Sequence, residues 1–116
     1  MNDAARLDIF CDALWLEEGL AQNTLNSYRR DLSKVAEWLK RRNLDLLQAS
    51  HTDLLEFLAE HSPRMRATSM SRLLSSLRRF YQYAVRQGTL AVDPSLQIER
   101  PKLPRGLPKS LSEADV

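Results

Sequence analysis

Apolar residues recur at intervals of three and four along four stretches of this chain, a spacing that suits helices packed side by side. β-Branched residues are few and only three glycines occur in 116 residues, so no segment reads as a strand. A first helix is expected over residues 3–18, with Leu7, Phe10, Cys11, Leu14 and Trp15 on one face and Gly19 as its stop. A second is expected over residues 23–42, where Leu25, Tyr28, Leu32, Val35, Ala36 and Leu39 form one apolar stripe and Asn43 terminates it. A third spans residues 52–61, with Leu54, Leu55, Phe57 and Leu58, begins near Ser50 or Thr52 as N-cap, and is closed off by Pro63. The fourth, over residues 67–87, carries the longest stripe: Met70, Leu73, Leu74, Leu77, Phe80, Tyr81, Ala84 and Val85, with Gly88 beyond it. Pro94, Pro101, Pro104 and Pro108 crowd the last quarter, so a folded body is expected over residues 1–90 and an extended tail over 91–116. The fold class is all-α.

Charge divides these helices into two kinds. Residues 1–21 hold one basic and five acidic side chains, and residues 44–61 hold none and four. Residues 22–43 hold six basic and two acidic side chains, and residues 62–86 hold six basic and none acidic. The second and fourth helices are therefore strongly positive although the whole chain is only +2. A uniformly solvated bundle does not segregate charge in this way. At 100° per residue, Thr68, Arg72, Ser75, Arg79 and Arg86 fall roughly opposite the apolar stripe of the fourth helix. Asn23, Ser27, Arg30, Lys34 and Arg41 stand likewise on the second, and Thr24, Arg66 and Ser69 complete the candidate set. Cations mixed with short hydrogen-bonding side chains suit phosphates and base edges, so double-stranded DNA is the expected partner. With no acid between Ser62 and Arg86, the fourth helix is expected to need an external anion. Truncating Arg72 or Arg79 is accordingly expected to leave folding almost untouched.

Other constellations are read as structural. Cys11 is the only cysteine, and no apolar run is long enough for a signal peptide or membrane span, so a reducing, cytoplasmic setting is expected, with no membrane contact. His51 and His61 stand ten residues apart without a cysteine pair and are expected at helix ends rather than on a metal. Trp15, Trp38, Phe57, Phe80 and Tyr81 have core spacing. Tyr28, Tyr81 and Tyr83 lack the cluster of cations and a general acid that a tyrosine nucleophile needs, so no catalytic residue, cofactor or metal is assigned.

The segment FCDALWLEEGLAQNTLNSYRRDLSKVAEWL, with Thr24, Tyr28, Asp31 and Leu32 in a T-x-x-x-Y-x-x-D-L pattern, resembles the start of XerD-type tyrosine recombinases. ATSMSRLLSSLRRFYQYAVRQG and the following DPSLQIERPKLPRGLPKSLSEADV are similar to the fourth helix, the linker and the first turn of the catalytic domain in the same family. Ser112 and Asp115 fit the capping box of that next helix. The resemblance implies a four-helix core-binding domain with an extended C-terminal linker, and a chain that is a fragment. It implies that a C-terminal domain supplies the Arg, Lys, His, Arg, His and Tyr residues that cut and rejoin DNA. It also implies a C-shaped clamp whose second and fourth helices approach the major groove of a recombination site, and a XerC-type partner in a tetrameric synaptic complex that resolves chromosome dimers. The alternatives are a mobile-element integrase domain, a stand-alone helical DNA-binding regulator, and a helical module whose basic and acidic faces bind one another between copies.

Overall fold

Four helices account for most of the chain in a computed structural model that describes residues 2–96 and 98. They are α1 (Asp3–Glu18), α2 (Gln22–Lys40), α3 (His51–His61) and α4 (Ala67–Arg86), with a single 3-10 turn at Ser62–Arg64. No strand occurs among the described residues. The boundaries follow the local chemistry. Asn2 caps α1 by accepting from the Ala5 N–H at 2.8 Å, and Gly19 ends it in the left-handed region at φ 62°. Asn43 takes the same conformation after α2, at φ 63°, a position that asparagine tolerates better than most side chains. α3 opens on a reciprocal capping box between Ser50 and Asp53. Pro63 shapes the 3-10 turn, and Gly88, at φ 78°, follows α4.

The apolar stripes meet in one core. Leu7, Phe10, Cys11 and Leu14 of α1, Leu25, Leu32, Val35 and Leu39 of α2, Leu54 and Phe57 of α3, and Leu73, Leu74, Leu77 and Phe80 of α4 are all buried in it. Phe10 meets Phe80 edge-on at 5.4 Å between ring centres, and Trp38 meets Phe57 at 5.5 Å. Three side chains expected in the core are instead open to solvent. Trp15 is 51% exposed, Leu55 42% and Val85 36%. Each stands one residue past a buried neighbour, Leu14, Leu54 or Ala84, and so is turned a further 100° out of the contact face. Trp15 lies over a cleft between α1 and α2 with Gln22, Leu25 and Arg29.

The connection between α2 and α3 is pinned from both sides at Leu46. The Leu46 N–H donates to the Asp3 carboxylate at 3.2 Å, and the Leu46 carbonyl accepts from the Tyr81 hydroxyl at 2.6 Å. Arg6 steadies that carboxylate at 2.9 Å and reaches Asp45 at 3.3 Å. Tyr81 is fully buried, and burial pushes its hydroxyl well above the ordinary tyrosine range, which suits a hydrogen-bond donor and not a nucleophile. Tyr81→Phe strands the Leu46 carbonyl, with an expected loss of about 1–3 kcal/mol in urea unfolding. A loss within a few tenths of zero would mean that water replaces the hydroxyl.

Burial continues beyond residue 90. Ser95 and Ile98 are both buried, Ile98 within the core, and Arg78 of α4 donates to the Ile98 carbonyl. The rest of the expected linker, with the capping box at Ser112 and Asp115, lies outside the described residues. His51 and His61 sit at the two ends of α3, as expected. The His51 ring nitrogen is 3.3 Å from the Pro94 carbonyl, and His61 stacks on Phe57 with its Nδ1 2.9 Å from the Phe57 carbonyl. No helix among the described residues is long and apolar enough to cross a membrane.

Candidate nucleic-acid interface

α2 and α4, the two basic helices, pack against each other, so their flanks form one continuous surface. On α2 and its C-terminal end, Asn23, Arg30, Lys34 and Arg41 are exposed, while Thr24 and Ser27 are half-buried. At the start and along the length of α4, Arg66, Thr68 and Arg86 are exposed, and Ser69, Arg72, Ser75 and Arg79 are half-buried. Ser75, Arg79 and Arg86 line one open groove with Tyr28 of α2 and Glu18 of α1. Arg30 and Lys34 share a second, shallower surface with Asn26, Arg29 and Ser33. Thr24, Ser27, Arg66, Thr68, Ser69 and Arg72 line neither place, nor do Asn23 and Arg41, which stand at opposite ends of α2, about 27 Å apart at 1.5 Å per residue.

The line on α4 is less free than its sequence suggests. Arg72 makes a two-pronged pair with Asp31 of α2, Nε to Oδ2 at 2.8 Å and Nη2 to Oδ1 at 3.1 Å. Asp31 is 3% exposed. Arg79 is bound through Nη1 to Glu18, and Arg86 through Nη2 to Glu17 at 2.9 Å, both acids lying at the end of α1. The expectation that α4 lacks anions is therefore corrected: α1 and α2 supply three carboxylates across the helix interfaces. α4 buries a wider arc than its leucines mark, because Ser76 is also fully buried, turning its hydroxyl back to the Leu73 carbonyl at 2.7 Å. Arg72 and Arg79 consequently lie at the edge of a contact face and not opposite it.

Asp31, Glu17 and Glu18 are the residues that sequence reasoning missed. For Asp31 a signal was present. It falls between Tyr28 and Leu32 on the apolar side of α2, where a carboxylate persists only with a partner. For Glu17 and Glu18 the signal was weaker: two acids in the last turn of a helix, where the helix dipole disfavours them and a nearby cation offsets the cost.

The cations left without an ion pair among the described residues are Arg30, Lys34, Lys40 and Arg41 on or just after α2, and Arg64 and Arg66 before α4, with Arg78 bound only to the Ile98 carbonyl. The N-termini also differ. α1 and α3 are capped by Asn2 and Ser50, whereas α2 and α4 have no side-chain cap on their first N–H groups. These cations along α2 and just before α4, with two uncapped helix N-termini, form a surface suited to phosphate.

A family model described as phage integrase, N-terminal SAM-like domain, matches residues 7–88, from the first turns of α1 to the glycine after α4. The chain belongs to this family. Around the integrase-type domain the similarity extends over nearly all of the sequence. The chain is 50% identical over 116 residues to a Yersinia pestis protein named tyrosine recombinase XerD, covering 99% of this chain and 39% of the relative. It is 49% identical over 111 residues to a protein of the same name from Pseudomonas aeruginosa, covering 95% of this chain and 37% of the relative. A Haemophilus influenzae protein with that name is 40% identical over 117 residues. The chain thus spans about two fifths of the length of these relatives. The integrase-type assignment agrees with the all-α fold and with the resemblance carried by the Thr24, Tyr28, Asp31 and Leu32 pattern. Three of those four positions now have a physical role: Tyr28 and Leu32 are buried in the core, and Asp31 ties α2 to α4.

Proposed function

We propose that this chain is the DNA-binding domain of a site-specific tyrosine recombinase, gripping duplex DNA with α2 and α4 while a C-terminal domain cuts and rejoins the strands. The observation that carries this is the set of exposed cations Arg30, Lys34, Arg41 and Arg66, on or beside two packed helices and without an ion pair among the described residues. Asn23, Thr24, Ser27, Thr68, Ser69 and Ser75 add short hydrogen-bonding groups to the same helices, and Arg72, Arg79 and Arg86 complete the contact set. Residues 1–90 form the binding body and residues 91–116 lead to the catalytic domain. The relatives' names support a XerD-type tyrosine recombinase; as part of the same proposal, it works with a XerC-type partner in a tetrameric complex, resolving chromosome dimers in the cytoplasm. Pairing between copies through basic and acidic faces is disfavoured, because three of the four arginines of α4 already meet carboxylates within the chain.

Fluorescence anisotropy with a labelled duplex tests the proposal. With on the order of six phosphates contacted, the log–log salt slope is about −5, so each doubling of salt weakens binding roughly thirtyfold. Absence of binding at low salt rejects the assignment.

A further inference from the structure

We propose that Arg72 reads a guanine in the major groove and that Asp31 is the residue that positions it to do so. The inference rests on the DNA-binding reading above and assigns one arginine to base recognition. A guanidinium has five N–H groups arranged in a planar fork. Arg72 gives Nε–H to Asp31 Oδ2 and one Nη2–H to Asp31 Oδ1, at 2.8 and 3.1 Å. The second Nη2–H and both Nη1–H groups remain, and one N–H from each of these two nitrogens points outward in parallel from the end of the fork. Two parallel donors on one edge match the O6 and N7 acceptors that guanine presents in the major groove.

Two observations separate Arg72 from the other arginines of α4 that pair with carboxylates. Its anchor cannot swing away, because the Asp31 side chain is 4% exposed, while the Arg72 side chain is 40% exposed and open to a ligand. Arg79 and Arg86 are each paired through one nitrogen with acids that are themselves 39% and 50% exposed, so no second ion-pair contact fixes their planes. The Arg72–Asp31 pair also carries no net charge. Such a pair adds little to phosphate neutralisation, but it fixes the plane of the fork before binding and so lowers the ordering cost of a directional contact. Holders of phosphate lie around it at helical spacing: Thr68, Ser69 and Ser75 on α4, and Ser27 and Lys34 one turn to either side of Asp31 on α2.

The 116-residue chain is used to select bound sequences from a pool of randomised duplexes at low salt, and one position is expected to return guanine. Replacing that base by 7-deazaguanine, which lacks the N7 acceptor, weakens binding by the wild-type chain about 5- to 150-fold. Arg72→Lys keeps a cation opposite Asp31 but has no fork, and it binds the two duplexes equally. Asp31→Asn keeps the fork and loosens its anchor, so the guanine preference shrinks while random-duplex affinity does not fall. Circular dichroism establishes that each variant is folded. A wild-type chain indifferent to 7-deazaguanine, or a folded Arg72→Lys chain that keeps the preference, overturns the assignment. So does a preference lost in Arg79→Lys and kept in Arg72→Lys. A wild-type chain that binds no duplex at all rejects the DNA-binding reading itself, and this inference with it.

Discussion

Leu77→Ala is expected to lower the stability of this domain by about 2–5 kcal/mol. Leu77 is fully buried near the middle of α4, the helix whose stripe reaches furthest through the core. Truncation removes three carbon atoms from water-free surroundings, and neighbours held by helix backbones close only part of the space. For a body of about this size the loss corresponds to a fall of roughly 10–30 °C in the unfolding midpoint. Leu55→Ala is the comparison: Leu55 is 42% exposed, and its truncation costs well under 1 kcal/mol despite its place in the same sequence pattern. Thermal unfolding of the two variants checks both values. DNA affinity measured where Leu77→Ala is still folded is expected to stay at the wild-type level, because nothing on the flank proposed to face DNA has changed. Equal losses at Leu77 and Leu55 would mean that α3 packs more deeply than described.

Much of this architecture was legible in the sequence because local chemistry and tertiary packing agree here. Gly19, Asn43, Ser50 and Gly88 mark the helix ends, and all four do so in the structure. The stripes located the core to within a few residues, and the errors at Trp15, Leu55 and Val85 share one cause. Periodicity gives the centre of an apolar face but not its width, which depends on how closely the neighbouring helix approaches. The candidate site was less legible for a related reason. A count of charges along α4 finds no acid between Ser62 and Arg86, yet Asp31, Glu18 and Glu17 come from helices distant in sequence. Contacts over 41, 61 and 69 residues cannot be read from one helix at a time. Wheel geometry therefore set the arginines of α4 further from the neighbouring helices than they lie and assigned them too much freedom.

The sharpest consequence falls on Arg72, whose truncation was expected to spare the fold. Arg72→Ala is instead expected to destabilise the domain by about 2–4 kcal/mol, because it leaves the Asp31 carboxylate buried without its partner. The value sits toward the lower end of what breaking a buried pair costs, since the guanidinium is 40% exposed and water can enter where it stood. Arg79→Ala differs. Both members of its pair with Glu18 are more than a third exposed, so truncation costs roughly 0–1 kcal/mol and is felt mainly in DNA affinity. A further substitution separates the stranded charge from lost packing by the Arg72 side chain. Asp31→Asn added to Arg72→Ala removes the buried charge, so the double variant is expected to be more stable than Arg72→Ala alone. Asp31→Asn in the wild-type background weakens the pair and lowers stability. The two signs together give a coupling energy between the residues that urea unfolding of four proteins measures directly. If Arg72→Ala unfolds at the same urea concentration as Arg79→Ala, the carboxylate of Asp31 is not confined between α2 and α4. In that case the fork of Arg72 has no fixed plane from which to read a base.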